Sequence, residues 1–178
     1  MKFIICVTGK IGTGKTTVST FFKNKGFKYI NMDEIGKKVF YEKINKIKNL
    51  FGTENRKEIA KIVFDNPSEL KKLEETLHPD MLKYLYERTK DEGTYIVEAA
   101  IKRRLGIKSD LTITVSCSKK IIYERLQNRG LKKELIEKIL EIQSDIIDEG
   151  IIIRNDASLE VLSENLEKIY KILEKTIK

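Results

Sequence analysis

Gly9-Lys10-Ile11-Gly12-Thr13-Gly14-Lys15-Thr16 organises the reading of everything around it. The stretch has the form G-x-x-x-x-G-K-[ST], follows the apolar run Lys2-Phe3-Ile4-Ile5-Cys6-Val7, and leads into the helical pattern Thr17-Val18-Ser19-Thr20-Phe21-Phe22. Strand, glycine loop and helix in this order form a phosphate-binding loop. Glycines let backbone N–H groups converge on phosphate oxygens, and the helix N-terminus adds a favourable dipole. The expected cradle is Gly9 and the run Ile11, Gly12, Thr13, Gly14, Lys15, Thr16 and Thr17. Lys15 would reach the β- and γ-phosphates of a nucleoside triphosphate, and the Thr16 hydroxyl would sit on Mg²⁺.

Working outward, five short runs read as strands: Lys2–Val7, Phe27–Met32, Thr94–Ala99, Leu111–Cys117 and Gly150–Arg154. Several are continuously apolar, as parallel strands covered on both faces are. Helical stripes lie between them, at Leu70, Leu73, Leu77, Met81 and Leu85 and again at Leu162, Leu166, Ile169, Leu173 and Ile177. Asn66-Pro67-Ser68-Glu69 reads as a helix start with Asn66 as cap and Glu69 closing a capping box. The alternation predicts a doubly wound α/β fold with a parallel sheet. Only helical patterns occur between Asp33 and Thr94, so a helical insertion over about 34–92 is expected between the second and third strands.

The 178 residues suit one domain, 1–178, able to bury a sizeable core. Charged residues make up 35% of the chain and the formal net charge is +8, which favours polyanionic partners. The basic residues are scattered among glutamates rather than striped, which argues against nucleic acid as the partner. Lys102-Arg103-Arg104 is the tightest basic cluster and reads either as a surface loop or as an anion-facing group. Cys6 and Cys117 fall in apolar runs and form neither a disulfide framework nor a metal site. No run approaches the ~18 apolar residues of a membrane span. A cytoplasmic protein without a membrane partner is expected.

In open α/β sheets ligands lie beyond the carboxyl ends of the strands. Asp33 follows the second strand and Glu98 stands at the end of the third. A kinase needs a carboxylate near the acceptor hydroxyl, so both are candidates; Asp33 also suits a helix N-cap and Glu98 an ion pair with lysine. Arg125 and Arg129, four apart in Glu124-Arg125-Leu126-Gln127-Asn128-Arg129, share one helical face. They read either as lid arginines over transferring phosphates or as solvated surface cations. His78 is the only histidine, too little for a zinc site.

With these residues on the page, the chain resembles the dephospho-coenzyme A kinases nearly end to end. The family's T-G-x-I-G-[ST]-G-K-[ST]-T is met by Thr8 to Thr17, its D-x-D by Asn31-Met32-Asp33, and its R-x-x-[LI]-x-x-x-V-F by Arg56 to Phe64. Leu73 to Pro79 is similar to L-E-x-I-x-H-P, Glu124 to Arg129 to E-R-L-x-x-R, and Ile151 to Asn155 to the last strand ending in I-x-N. The resemblance implies a P-loop kinase sheet in the order 2-3-1-4-5, a short lid over about 125–149, and ATP with Mg²⁺ as cofactors. It implies phosphorylation of the ribose 3′-hydroxyl of dephospho-coenzyme A, the last step of coenzyme A synthesis. Asp33 would take the hydroxyl proton, with Lys15, Arg125 and Arg129 on the phosphates. Arg56, the His78-Pro79 turn and Glu98 would help hold the acceptor. A monomer or weak homo-oligomer is expected.

Three departures stand out. Asn31 replaces the first carboxylate of D-x-D, Ala99-Ala100-Ile101 replaces a P-L-L segment, and the lid lacks further arginines between Gln143 and the last strand. Other readings are a P-loop kinase for a nucleoside or nucleoside monophosphate, and, more remotely, a nucleotide-gated nucleic-acid binder.

Overall fold

The computed structural model describes residues Met1–Ile177. Five strands, β1 (Lys2–Thr8), β2 (Lys28–Asn31), β3 (Gly93–Glu98), β4 (Leu111–Ser116) and β5 (Ile151–Arg154), form one sheet in the order β2-β3-β1-β4-β5. β1 pairs in parallel with β3, placing Val7 beside Glu98, and in parallel with β4, placing Thr8 beside Thr114. β4 pairs in parallel with β5. The doubly wound sheet and its order thus agree with expectation, with each strand boundary within a residue of its sequence reading or close to it.

The chain divides into two compact units, Met1–Ile30 with Asp91–Lys178, and Asn31–Lys90. In the first, the apolar strands are buried because helices cover them. Ile5, Val7, Ile96, Ile113 and Val115 pack with Val18 and Phe22 of α1 (Lys15–Asn24) and with Leu162, Leu166 and Leu173 of α9 (Leu159–Ile177). Ile169 and Ile177 of the expected stripe lie half-buried against the same core. Each fully buried side chain of this size contributes about 1.5–3 kcal/mol of transfer free energy, which fixes the carboxyl ends of β1, β3 and β4 as a rigid frame for the glycine loop.

The second unit is helical: α2 (Met32–Glu42), α3 (Ile44–Phe51), α4 (Arg56–Asp65) and α5 (Pro67–Arg88). It has its own core of Phe40, Ile47, Ile59 and Val63, against which Leu70, Leu73 and Leu77 pack. Asn66 caps α5 by accepting from the Ser68 N–H at 3.0 Å, while Glu69 turns to Lys72 at 2.6 Å rather than closing a box. His78-Pro79 was expected as a turn but lies inside α5. A proline removes one helical hydrogen bond and crowds the carbonyl four residues before it. Yet the 22-residue α5 continues through Pro79, and Thr76 Oγ1 donates to the Lys72 carbonyl at 2.9 Å in the turn before.

The remaining helices belong to the first unit: the short α6 (Lys102–Leu105), α7 (Lys119–Asn128) and α8 (Lys133–Ile142), followed by a 3-10 turn over Gln143–Asp145. Among the described residues no helix is long and apolar enough to cross a membrane.

Candidate active site

The glycine loop turns sharply out of β1 because two of its glycines occupy places closed to other residues. Gly9 has φ +142°, and a Cβ there would overlap the Val115 carbonyl. Gly14 has φ +104°, and a Cβ there would overlap the Asn155 amide. Gly14 is also the N-cap of α1 and offers no side-chain acceptor to the helix. The first amides of α1 are therefore donors in need of an anion.

Lys15 arches back over the loop, its Nζ donating to the Lys10 carbonyl at 3.0 Å. Thr13 Oγ1 donates to the same carbonyl at 2.9 Å. Thr16 is exposed at the first turn of α1, and its Oγ1 donates to Glu98 Oε1 at 2.8 Å. Glu98 itself is only 4% exposed. Its other oxygen accepts from the Tyr29 hydroxyl at 2.6 Å. The alternative reading of Glu98 as the partner of a lysine gives way to two hydroxyl donors, one of them Thr16, expected to meet the metal.

On the other side of the loop stands Arg125 of α7. Its Nη1 donates to the carbonyls of Gly12 at 3.1 Å and Thr13 at 3.3 Å, and its Nη2 to the Asn155 carbonyl at 3.1 Å. Arg129, expected to share its role, is exposed at the C-cap of α7. The two arginines thus have different surroundings, because position 125 faces the loop backbone while position 129 has run past the helix end. Asn155, just beyond β5, is 4% exposed and donates its Nδ2 to the Thr13 carbonyl at 2.8 Å. Gln143 completes this brace by accepting from the Ile11 N–H at 2.8 Å. Ile11 also packs against Ile122, Leu126 and Ile136, so the α7–α8 hairpin closes directly on the loop.

Lys102, Arg103 and Arg104 form neither a free loop nor an open anion site. Lys102 pairs with Glu149 at 2.7 Å, Arg103 donates to the Asp145 carbonyl at 3.3 Å, and Arg104 pairs with the Asp145 carboxylate at 3.1 Å. The Lys102 hydrogen bond holds the Glu149 carboxyl below the usual carboxylate range. A cleft of about 160 Å³ opens beyond the carboxyl ends of β1, β4 and β5, lined by Gly9, Lys10, Ser116, Cys117, Asp148 and Arg154 among others. Burial pushes the Cys6 thiol up to about 12 and raises that of Cys117, so neither is a nucleophile at neutral pH.

In the helical unit, Asn31 is the N-cap of α2: its Oδ1 accepts from the N–H of Asp33 at 2.8 Å and of Glu34 at 3.3 Å. The residue lacking the expected charge is thus the cap, and Asp33 lies in the first turn, where a carboxylate suits the helix dipole. Arg56 is the first residue of α4, its guanidinium 5.5 Å from the Phe40 ring centroid.

Among the described residues no cluster of three or more His, Cys, Asp or Glu could hold a metal by itself. The oxygen donors at Thr16 and Glu98 fit Mg²⁺, which takes few protein ligands and completes its shell with water and substrate phosphates.

Nothing in the sequence pointed to the Tyr29 bond to Glu98, the Asn155 bond to Thr13 or the Gln143 bond to Ile11. Asn155 itself left a signal: it is a polar residue just beyond the last apolar strand run, at the carboxyl end of the sheet, where ligands of open α/β sheets bind.

Comparison with known proteins agrees with this fold. A Helicobacter pylori protein named dephospho-CoA kinase is 33% identical over 193 aligned positions, covering 97% of this chain and 98% of its own. Its Borreliella burgdorferi namesake is 35% identical, covering 98% and 90%. A crystal structure from Thermus thermophilus superposes with a TM-score of 0.79 at 25% identity, covering 97% of this chain and 98% of its own. A dephospho-CoA kinase from Campylobacter jejuni gives 0.70 at 22% identity over 100% of both chains, a likeness of fold. The dephospho-CoA kinase family profile spans residues 3–160, from the first strand to the start of the last helix, and the chain belongs to that family.

Proposed function

We propose that this chain transfers the γ-phosphoryl group of ATP to the ribose 3′-hydroxyl of dephospho-coenzyme A, giving coenzyme A and ADP. The observation that carries the reading is the grouping of Lys15, Thr16 and Glu98 at an uncapped helix start, in a chain of this family. Lys15 leaves the Lys10 carbonyl for the β- and γ-phosphate oxygens, and the α1 amides hold the same oxygens. Thr16 would hold Mg²⁺, with Glu98 behind it, and the ion would supply neutralisation of the charge that develops on the transferring phosphoryl group.

Asp33 accepts the 3′-hydroxyl proton. A bond forms from the ribose oxygen to the γ-phosphorus as the bond from that phosphorus to the β–γ bridging oxygen breaks, and Asp33 returns the proton to solvent. Arg129 reaches the phosphates from the end of α7, and Arg125 acts through the shape of the loop. Arg56 and the His78-Pro79 segment contribute to holding the acceptor, with Glu98 near the transferring group. Both substrates are polyanions, which accounts for the net charge of +8. The setting is cytoplasmic and the protein acts as a monomer or weak homo-oligomer, without nucleic acid.

The test is ADP release from Mg²⁺-ATP with dephospho-coenzyme A against a panel of nucleosides and nucleoside monophosphates. Selective turnover with dephospho-coenzyme A is expected. Preferred turnover with a monophosphate would overturn the acceptor assignment while leaving the nucleotide site in place.

A further inference from the structure

We propose that Tyr29 is a positioning residue for the Mg²⁺-nucleotide site, acting through Glu98 on Thr16. The inference rests on the reading above that Thr16 holds the Mg²⁺-nucleotide. A hydroxyl has one hydrogen and two lone pairs. Thr16 gives its hydrogen to Glu98 Oε1 at 2.8 Å, so its lone pairs are directed away from the carboxylate and remain available to a cation. This orientation lasts only while the carboxylate holds still. The terminal torsion of a glutamate is broad and roughly two-fold, and nothing in the covalent structure pins it.

Tyr29 supplies the pin. Its hydroxyl donates to Glu98 Oε2 at 2.6 Å from β2, on the far side of β3 from β1. Glu98 is 4% exposed, so an oxygen left without this donor would be a buried unpaired acceptor. The carboxylate would then rotate or draw in water and release Thr16. The Lys23 ammonium stands 5.7 Å from the centroid of the Tyr29 ring. Tyr29, Glu98 and Thr16 therefore form a relay of two short hydrogen bonds running from the second strand to the glycine loop. It gives a single glutamate a fixed orientation beside the nucleotide.

The test is calorimetric titration with ADP in EDTA and in saturating Mg²⁺, the ratio of the two affinities giving the Mg²⁺ enhancement. Tyr29→Phe removes one oxygen and keeps the ring. It is expected to bind ADP in EDTA as the parent does while its Mg²⁺ enhancement falls by about tenfold, the lower end for loss of an outer-shell partner. Adding Tyr29→Phe to Glu98→Gln is expected to cost little further. Unchanged enhancement, equal losses with and without Mg²⁺, or full additivity in the double variant would each overturn the proposal. Glu98→Asp is the second variant: its carboxylate is withdrawn from both hydroxyls, so retention of full enhancement there also overturns it. Failure of the acceptor assignment alone would leave these binding ratios as predicted, whereas absence of any ADP binding by the parent would sink both.

Discussion

The glycine loop is gripped on one side by a guanidinium and two amides, and on the other by a carboxylate that a tyrosine hydroxyl holds. On the hairpin side, Arg125, Asn155 and Gln143 bond to backbone groups of Ile11, Gly12 and Thr13. On the β3 side, Glu98 takes a hydroxyl from Thr16 and another from Tyr29. The first set fixes the path of the chain; the second places a carboxylate behind Thr16, the residue proposed to hold Mg²⁺. Shape and charge are thus assigned to opposite flanks of one loop, and substitutions on the two flanks should differ in kind.

The proposed base, Asp33, belongs to neither flank, and its replacement is expected to cause the largest loss. Asp33→Asn should lower kcat by about 10²–10⁴-fold while leaving ADP affinity near that of the parent. Near-normal turnover in a steady-state assay would remove the base role. On the charge flank, Glu98→Gln should lower the Mg²⁺-dependent affinity for nucleotide by about 10–100-fold, with little change in binding in EDTA. On the shape flank, Arg125→Ala strips donors from the carbonyls of Gly12, Thr13 and Asn155. Hydrogen bonds from a charged donor are each worth about 1.5–3 kcal/mol, so Tm should fall and nucleotide affinity should weaken alike with and without Mg²⁺. Arg125→Lys should rescue little, because an ammonium lacks the planar fork that spans separate carbonyls. An Arg125→Ala effect confined to Mg²⁺-dependent binding would erase the contrast between the flanks.

The smallest effect is expected at the rim. Lys102→Met should cost about 0.2–1 kcal/mol, the range of a partly exposed pair. The Glu149 carboxyl is held low by Lys102, so this contribution is present above the ordinary carboxylate range and is lost as pH falls through the depressed value. The difference between parent and variant in urea melts should therefore be clear near neutral pH and shrink in acid. A gap that widens in acid would contradict the pairing.

Much of this frame was legible in the sequence because it depends on local pattern. Continuous apolar runs give buried parallel strands, and G-x-x-x-x-G-K-[ST] between strand and helix leaves few alternatives. What was not legible depends on distance along the chain or on a choice between chemically similar uses. Tyr29 is an ordinary strand residue until Glu98, 69 positions away, is seen beneath its hydroxyl. Asn155 reaches Thr13 across 142 positions. Arg125 and Arg129 look equivalent by spacing, yet one meets backbone carbonyls and the other solvent. Pro79 reads as a turn because proline usually ends helices, but the long α5 tolerates one missing bond. Asn31 reads as a missing charge, whereas its amide oxygen serves as the cap of α2.

The most direct test of the whole account is where the new phosphate is found. After reaction of Mg²⁺-ATP with dephospho-coenzyme A, two-dimensional phosphorus–proton NMR of the product should couple a new phosphomonoester to the ribose 3′ proton. Coupling to the 2′ proton instead, or phosphate appearing only as inorganic phosphate, would contradict it.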